Sequence, residues 1–215
     1  MLLHGQLFFV VIDMIKNIIF DMGGVLIDHN PEKTLYAHFD KETADIILKE
    51  VFRNELWVER DRGVVTSEEI IEKKKHLFPK EYFEKICVMV KNFFPYMPPF
   101  EEMYDVVKTL KENGYGIYLL SNVAPEFYEV KDTIPALSLF DGFIVSCDYK
   151  KVKPEKELYI ALLEKFSLKA EECIFIDDVQ KNIDGALAVG MYGHCYSHGN
   201  VEILKEDLRN KGIKI

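Results

Sequence analysis

The sequence predicts an α/β protein: a Rossmann-like, doubly wound parallel sheet core with a small helical cap domain inserted after its first strand. Three observations carry this expectation. Short continuous apolar runs recur, each closed by a small or acidic residue. Amphipathic helical patterns separate most of them. One long interval, from about Pro31 to Pro99, shows helical patterns and no strand signal. Apolar runs with such punctuation read as strands buried on both faces, and their alternation with helices implies parallel βαβ units.

In chain order, Leu7 to Ile12 comes first, apolar but too short to cross a bilayer. It lacks the positive flank and small-residue cleavage site of a signal peptide. Residues 1–13 are therefore expected to be an N-terminal extension, either an upstream start or an accessory strand. The first clear strand is Asn17-Ile18-Ile19-Phe20, before Asp21. Helical spacing follows at Ala44, Ile47, Leu48 and Val51, and the break at Gly63 predicts two helical hairpins. Roughly 70 residues of helix is far more than a crossover connection needs. Pro95 and Pro98-Pro99 mark the return to the sheet. Met103, Val106, Val107 and Leu110 then predict a helix, and Ile117-Tyr118-Leu119-Leu120 a strand before Ser121. Phe143-Ile144-Val145 precedes Ser146, and Cys173-Ile174-Phe175-Ile176 precedes Asp177. Helical patterns at Leu158, Ala161, Leu162 and Phe166, and at Ile183, Ala186 and Leu187, complete the alternation. The expected division is 14–30 with 99–215 for the core and 31–98 for the cap.

Composition narrows the partners. With 215 residues, 48% of them apolar, the chain can bury one substantial core plus a small insert. A net charge of −9 argues against nucleic acid and against an anionic membrane surface. An acidic chain that takes an anionic ligand must gather positive charge locally, through a metal, a lysine or a helix N-terminus. Cys87, Cys147, Cys173 and Cys195 are far apart in sequence and fit free thiols in a reducing, cytoplasmic setting. A monomer or homodimer is expected.

Ligands of open parallel sheets bind beyond the carboxyl ends of the strands. One crevice should thus collect Asp21, Ser121-Asn122, a lysine of Lys151-Val152-Lys153-Pro154, and Asp177-Asp178. These groups suit phosphoryl transfer. A carboxylate attacking a phosphate is repelled unless a hard cation neutralises both, and Mg²⁺ with oxygen ligands serves that purpose. Asp21 could then attack phosphorus. Ser121 and Lys153 would hold the equatorial oxygens, and Asp177-Asp178 would supply a metal ligand. Lys153 is preferred over Lys150 and Lys151 because Pro154 fixes the chain as a helix begins. Plainer roles exist for each residue. Asp21 could be a turn residue, and Ser121-Asn122 a helix cap. Asp177-Asp178 could also cap, but adjacent carboxylates repel and make a costly cap without a cation. In the insert, Trp57, Glu59, Arg60 and Arg62 are candidates for substrate contact; they equally fit an insert core and a solvated helical face. The six histidines show no metal-ligand spacing, and His194 and His198 fit structural or surface roles.

Four stretches together carry a family likeness: Phe20-Asp21-Met22-Gly23-Gly24-Val25-Leu26, Leu119-Leu120-Ser121-Asn122, Lys153-Pro154, and Phe175-Ile176-Asp177-Asp178-Val179-Gln180-Lys181-Asn182. Their order, their spacing and the helical insert resemble the helical-cap subgroup of the haloacid dehalogenase superfamily, over about residues 16–200. The resemblance implies a Mg²⁺-dependent phosphatase acting on a small phosphorylated metabolite through an aspartyl-phosphate on Asp21. It implies Asp21, Ser121 and Lys153 as catalytic residues, and substrate contacts from Ser121, Asn122, Lys153, Trp57 and Arg62. The metal would be held by the Asp21 carboxylate, the Gly23 carbonyl and Asp178, with Asp177 supporting or sharing the site.

One departure matters. Most phosphatases of the superfamily carry a second aspartate two residues after the nucleophile, as acid for the leaving group and then base for water. Here that residue is Gly23. Loss of a positioned acid/base removes about 10² to 10⁴ in rate, so either a substitute such as Asp28 or His29 acts, or the leaving group needs little protonation. The second option points to sugar-1-phosphates. The stretch from Asp21 to Asp28, with Glu59-Arg60-Asp61-Arg62-Gly63 and Asp177-Asp178 to Asn182, is similar to the bacterial α-D-glucose-1-phosphate phosphatase branch, which also lacks the second aspartate. Two rival functions share the pattern: a metal-independent 2-haloacid dehalogenase, and a catalytically weak ligand-binding or regulatory member of the fold.

Overall fold

The structure, a computed structural model, describes residues 15–215. The extension or accessory strand expected at 1–13 lies outside the described residues. Strand β1 (Asn17–Phe20) leads into an insert of five helices: α1 (Pro31–His38), α2 (Lys41–Ile47), α3 (Glu55–Asp61), α4 (Ser67–Lys74) and α5 (Phe83–Lys91). Then come α6 (Glu101–Glu112), β2 (Gly116–Ser121), α7 (Phe127–Val130), β3 (Gly142–Val145), α8 (Ser146–Tyr149) and α9 (Lys156–Lys165). The chain ends with β4 (Cys173–Asp177), α10 (Gln180–Ala188), β5 (Tyr192–Cys195) and α11 (Val201–Asn210).

The sheet has the order β3-β2-β1-β4-β5, with every pairing parallel. In β1, alternate residues serve opposite layers, as the period of two in a strand requires. Ile18 and Phe20 pack with Leu119, Ile174 and Ile176 against α6 and α11, through Val106, Leu110, Leu204 and Leu208. Ile19 packs with Leu120 and Phe175 against α9 and α10, through Leu158, Tyr159, Leu162 and Ile183. Both faces of the central strands are therefore covered by helices, which is why those strands read as unbroken apolar runs.

The insert has a hydrophobic cluster of its own, built on Leu35, Ile47, Val51, Ile70, Ile86 and Phe93. Polar caps define its helices. Asn30 accepts from the Lys33 amide with Pro31 in the first turn, Asp40 accepts from Thr43, and Thr66 with Glu69 forms a capping box. Two helical hairpins account for part of it, since α1 packs on α2 and α4 on α5. Two features lie beyond that expectation. After α2 the chain continues through a π-helical turn, Leu48–Phe52. Helix α3 stands between the pairs and touches α8 of the sheet domain. The chain leaves and re-enters the sheet domain side by side. Ile27 bridges Pro99, the Asp28 amide donates to Pro98 at 2.9 Å, and the Phe100 amide donates to Leu26 at 2.9 Å. Among the described residues, no helix is long and apolar enough to cross a membrane.

Candidate active site

Parallel strands end at one edge of the sheet, and residues singled out from the sequence stand at or just past those ends. Asp21 follows β1 and stays on its line, because its amide donates to the Ile176 carbonyl at 2.8 Å. Ser121 is the last residue of β2 and is buried. Asp177 closes β4, and Asp178 follows it. Lys153 arrives from the loop after α8, and Asn122 fixes it there. The Asn122 side-chain oxygen accepts from the Lys153 amide at 2.7 Å, and its nitrogen donates to the Lys153 carbonyl at 3.2 Å. The two polar ends of one carboxamide thus hold one backbone unit.

The Lys153 ammonium, 1% exposed, is the hub. It lies 2.7 Å from Asp21 Oδ1 and 2.7 Å from Asp177 Oδ2. The bond to Asp177 is a directed hydrogen bond. Asp21 Oδ1 is close in charge contact but receives no directed hydrogen bond. Asp177 is held further by the Val179 amide at 2.8 Å and by the Asn182 side chain at 3.0 Å. Burial would strip the proton from Lys153, but the charges of Asp21 and Asp177 outweigh it and hold the ammonium above its ordinary value. Burial pushes Asp21 up to about 7; Lys153 draws it down, and Asp177 and Asp178 push it up again. Asp178 is raised by burial and by Asp177, against the pull of Lys153.

Three carboxylates with one ammonium leave a local excess of negative charge. Oxygen atoms of Asp21, Asp177 and Asp178 lie within 4.8 Å of one another. Gly24, at φ +72°, makes room for them, since a Cβ there would stand 2.3 Å from Asp178 Oδ2. Three hard carboxylate oxygen ligands this close, with one ammonium to balance them, fit a hard divalent cation such as Mg²⁺.

These groups open into a cavity of about 260 Å³. Asp21, Gly23, Ser121, Asn122, Lys153 and Asp178, each singled out from the sequence, line it, and so does Trp57. Asp177 lies just behind the wall, fully buried. Lys150 and Lys151 are elsewhere: Lys150 donates to the Gly63 carbonyl, and Lys151 pairs with Glu155 and Glu157 on the surface. Trp57 combines the two roles weighed for it, because it lines the cavity and also packs on Phe52, with ring centroids 4.5 Å apart.

Two residues expected at the substrate have other partners. Arg62, expected to contact substrate, is not among the cavity's lining residues. It pairs with Glu155 at 2.7 Å and Glu59 at 3.0 Å, and donates to the Lys150 carbonyl at 3.3 Å, tying the insert to the sheet domain. Two residues amount to about 200° around a helix, so Arg60 takes the inner position. The Arg60 side chain is already satisfied, stacked 4.5 Å over Trp57 and bonded to Ser67 at 2.7 Å and Glu126 at 3.1 Å. Asn122, also expected at the substrate, lines the cavity with its amide committed to Lys153.

Of the two candidates for the missing acid, Asp28 is paired with Lys33 at 3.0 Å and is not part of the cavity wall. His29 lines the wall; a Cβ on Gly23 would lie 3.2 Å from the His29 Cβ. Burial lowers its imidazole pKa, partly offset by Asp28. Several lining residues were not singled out from the sequence: Asp61 at the end of α3, and Phe93, Phe94 and Met97 before α6. Burial pushes Asp61 up to about 7, with Arg60 opposing and Glu126 and Asp21 adding to it.

Comparison with known proteins agrees with the arrangement. The chain is 29% identical over 179 residues to a sesquiterpene phosphatase from Aspergillus oryzae, covering 83% of this chain and 88% of that protein. It is 25% identical over 185 residues to a D-ribitol-5-phosphate phosphatase from Bacteroides thetaiotaomicron, covering 79% of this chain and 86% of that one. Its fold superposes on a haloacid dehalogenase family enzyme from Bacteroides thetaiotaomicron, solved in complex with magnesium and inorganic phosphate. The TM-score is 0.68 at 23% identity, over 86% of this chain and 96% of the other. Residues 15–190 match the haloacid dehalogenase-like hydrolase family, and the chain, with Asp21, Lys153 and the Asp177-Asp178 pair gathered at one sheet edge, belongs to that family of hydrolases.

Proposed function

We propose that the protein is a Mg²⁺-dependent phosphatase that uses Asp21 as nucleophile on a small phosphorylated metabolite. One observation carries this reading: a buried lysine joins the nucleophilic carboxylate to a second, fully held carboxylate, in an acidic cluster at the mouth of a cavity. Asp21, the Gly23 carbonyl and Asp178 would hold the ion, with Asp177 behind them fixed to Lys153 and Asn182. Bound there, the ion supplies positive charge that lets an anionic carboxylate approach an anionic phosphate.

The protein's own groups do the rest. Lys153 and Ser121 bind the equatorial phosphoryl oxygens, where charge grows in the transition state. An Asp21 oxygen attacks phosphorus as the ester oxygen departs, giving an aspartyl-phosphate; water then attacks phosphorus and frees Asp21. Residues 31–98 act as a cap that excludes water and contacts the leaving group, over a core of 14–30 and 99–215. Four unpaired cysteines fit a reducing, cytoplasmic setting.

Two substrate classes deserve testing. Gly23, in place of an acid, supports a sugar-1-phosphate such as glucose-1-phosphate, whose anomeric oxygen leaves readily. The insert side of the cavity supports a phosphate ester of an apolar alcohol. Trp57, Phe93, Phe94 and Met97 line it, and Arg60 is neutralised by its own partners. Sugar hydroxyls facing those four apolar side chains would lose water without gaining partners. The sesquiterpene phosphatase among the relatives supports the apolar class, and the D-ribitol-5-phosphate phosphatase the polyol class.

Phosphate release should be measured over glucose-1-phosphate, glucose-6-phosphate, ribitol-5-phosphate and a prenyl phosphate, each with Mg²⁺ and with EDTA. Turnover that needs Mg²⁺ supports the reading. A protein that binds these esters without turnover is the binding member of the fold, and halide release from 2-haloacids unaffected by EDTA marks the dehalogenase.

A further inference from the structure

Hydrolysis of an ordinary phosphate ester needs a proton for the departing oxygen and a base for the incoming water, and at Gly23 no side chain can supply either. The cavity wall contributed by the insert holds one carboxyl that no strong partner neutralises. Asp61 ends α3 and lines the cavity that contains Asp21 and Lys153. The nearest cation is Arg60, at 3.5 Å, already bonded to Ser67 and Glu126.

The segment carrying Asp61 is pinned to the sheet domain on both sides. The Ser146 hydroxyl donates to the Asp61 carbonyl, and Lys150 donates to the Gly63 carbonyl. Arg60 reaches Glu126, and Arg62 reaches Glu155 and the Lys150 carbonyl. A helix end with so many attachments presents its side chain at a fixed place, as proton transfer requires.

On the phosphatase reading above, we infer that Asp61 is the general acid and base of this enzyme, delivered from the insert in place of the residue missing at Gly23. In the first step the Asp21 oxygen bonds to phosphorus and the phosphorus–oxygen bond to the alcohol breaks. The electron pair stays on the alcohol oxygen, which takes the Asp61 proton and leaves as the free alcohol. In the second step water attacks phosphorus, its proton passes to the Asp61 carboxylate, and the bond to Asp21 breaks with its electron pair returning to Asp21. Inorganic phosphate departs, and both aspartates are restored.

The electrostatics fit. Burial holds Asp61 near 7, with Arg60 and Lys153 drawing it down and Glu126 and Asp21 pushing it up, so it can both give and take a proton near neutral pH. His29, the other candidate on the wall, has its imidazole pKa lowered by burial and packs edge-on against Phe93 with ring centroids 6.3 Å apart. With Asp61 in this role, Gly23 no longer demands an easily departing alcohol, and both substrate classes are chemically open.

The test compares kcat/KM of wild type, Asp61→Asn and His29→Asn on p-nitrophenyl phosphate, whose phenolate leaves without a proton, and on phenyl and alkyl phosphates, whose oxygens need one. The expected result for Asp61→Asn is a loss of about 10² or more on the alkyl ester, a smaller loss on phenyl phosphate, and near wild-type kcat/KM on p-nitrophenyl phosphate. That retained activity also shows the variant is folded. In the same variant, a stoichiometric burst of nitrophenolate should precede slow turnover, because the base for the second step is gone. Equal losses on all three esters, no loss, or the leaving-group dependence appearing in His29→Asn instead would overturn the assignment while leaving the phosphatase standing. Wild-type protein that hydrolyses none of the esters would overturn the phosphatase reading and this assignment with it.

Discussion

The two sides of the cavity are built on opposite principles. The sheet side is polar and over-determined: Lys153 touches two carboxylates, Asp177 accepts from three donors, and Asn122 clasps the lysine backbone. The insert side is mostly apolar, with Asp61 as its one carboxyl and its one arginine, Arg60, occupied by its neighbours. On the proposed reading, the nucleophile and the phosphate-holding groups sit at the strand ends, whereas the insert, with its own hydrophobic cluster, supplies Asp61 and the apolar contacts to the leaving group. Changes on the sheet side should therefore abolish turnover or stability, and changes on the insert side should redistribute activity among substrates.

The largest effect is expected from Asp21→Asn, which should bring steady-state turnover to background on every ester, because the proposed mechanism routes the phosphoryl group through Asp21. Next, Lys153→Met leaves two buried carboxylates without their cation, a change that costs about 3–5 kcal/mol. Urea unfolding should show it, with Lys151→Met on the surface shifting stability by less than about 0.5 kcal/mol. Gly24→Ala places a methyl group against Asp178 at a left-handed backbone position. It should cost about 1–3 kcal/mol and weaken Mg²⁺ binding by calorimetry. On the other side, Met97→Ala should raise KM for an apolar ester about tenfold and leave kcat nearly unchanged.

The acidic cluster also predicts a pH dependence. Asp21 is raised from 3.8 to about 7 in the folded protein, so the native state binds more protons than the unfolded one between those values. Its contribution to stability is complete below about 4 and is lost as pH rises through 7. The melting temperature of Mg²⁺-free protein should accordingly fall as pH rises from about 4 to about 7 and level off above that, and added Mg²⁺ should restore more at pH 8 than at pH 5.

The same contrast explains what the sequence made legible. Ile18-Ile19-Phe20 and Cys173-Ile174-Phe175-Ile176 announce buried strands by composition alone, and Asp21 and Asp177 follow them directly, so chain position gives spatial position. Lys153 is set by one local feature, its place before Pro154 after the third strand. The insert offers no such anchor. Which face of α3 meets the cavity depends on docking against α8, and an interval of two residues separates Arg60, which lines it, from Arg62, which does not. Asp61 enters the sequence reading only within the stretch Glu59-Arg60-Asp61-Arg62-Gly63, with no signal of its own. Its placement is fixed by long-range hydrogen bonds from Ser146 to the Asp61 carbonyl and from Lys150 to the Gly63 carbonyl, which no local pattern encodes. The π-helical turn at Leu48–Phe52 likewise follows from packing within the insert rather than from propensity.

The central claim, covalent phosphoryl transfer to Asp21, can be tested directly by acid-quenching the enzyme during turnover of p-nitrophenyl phosphate and mapping the phosphoryl group by mass spectrometry. A Mg²⁺-dependent adduct on the peptide containing Asp21, absent with EDTA and in Asp21→Asn, is the predicted result. Turnover that persists in Asp21→Asn, or an adduct on any other residue, would contradict it.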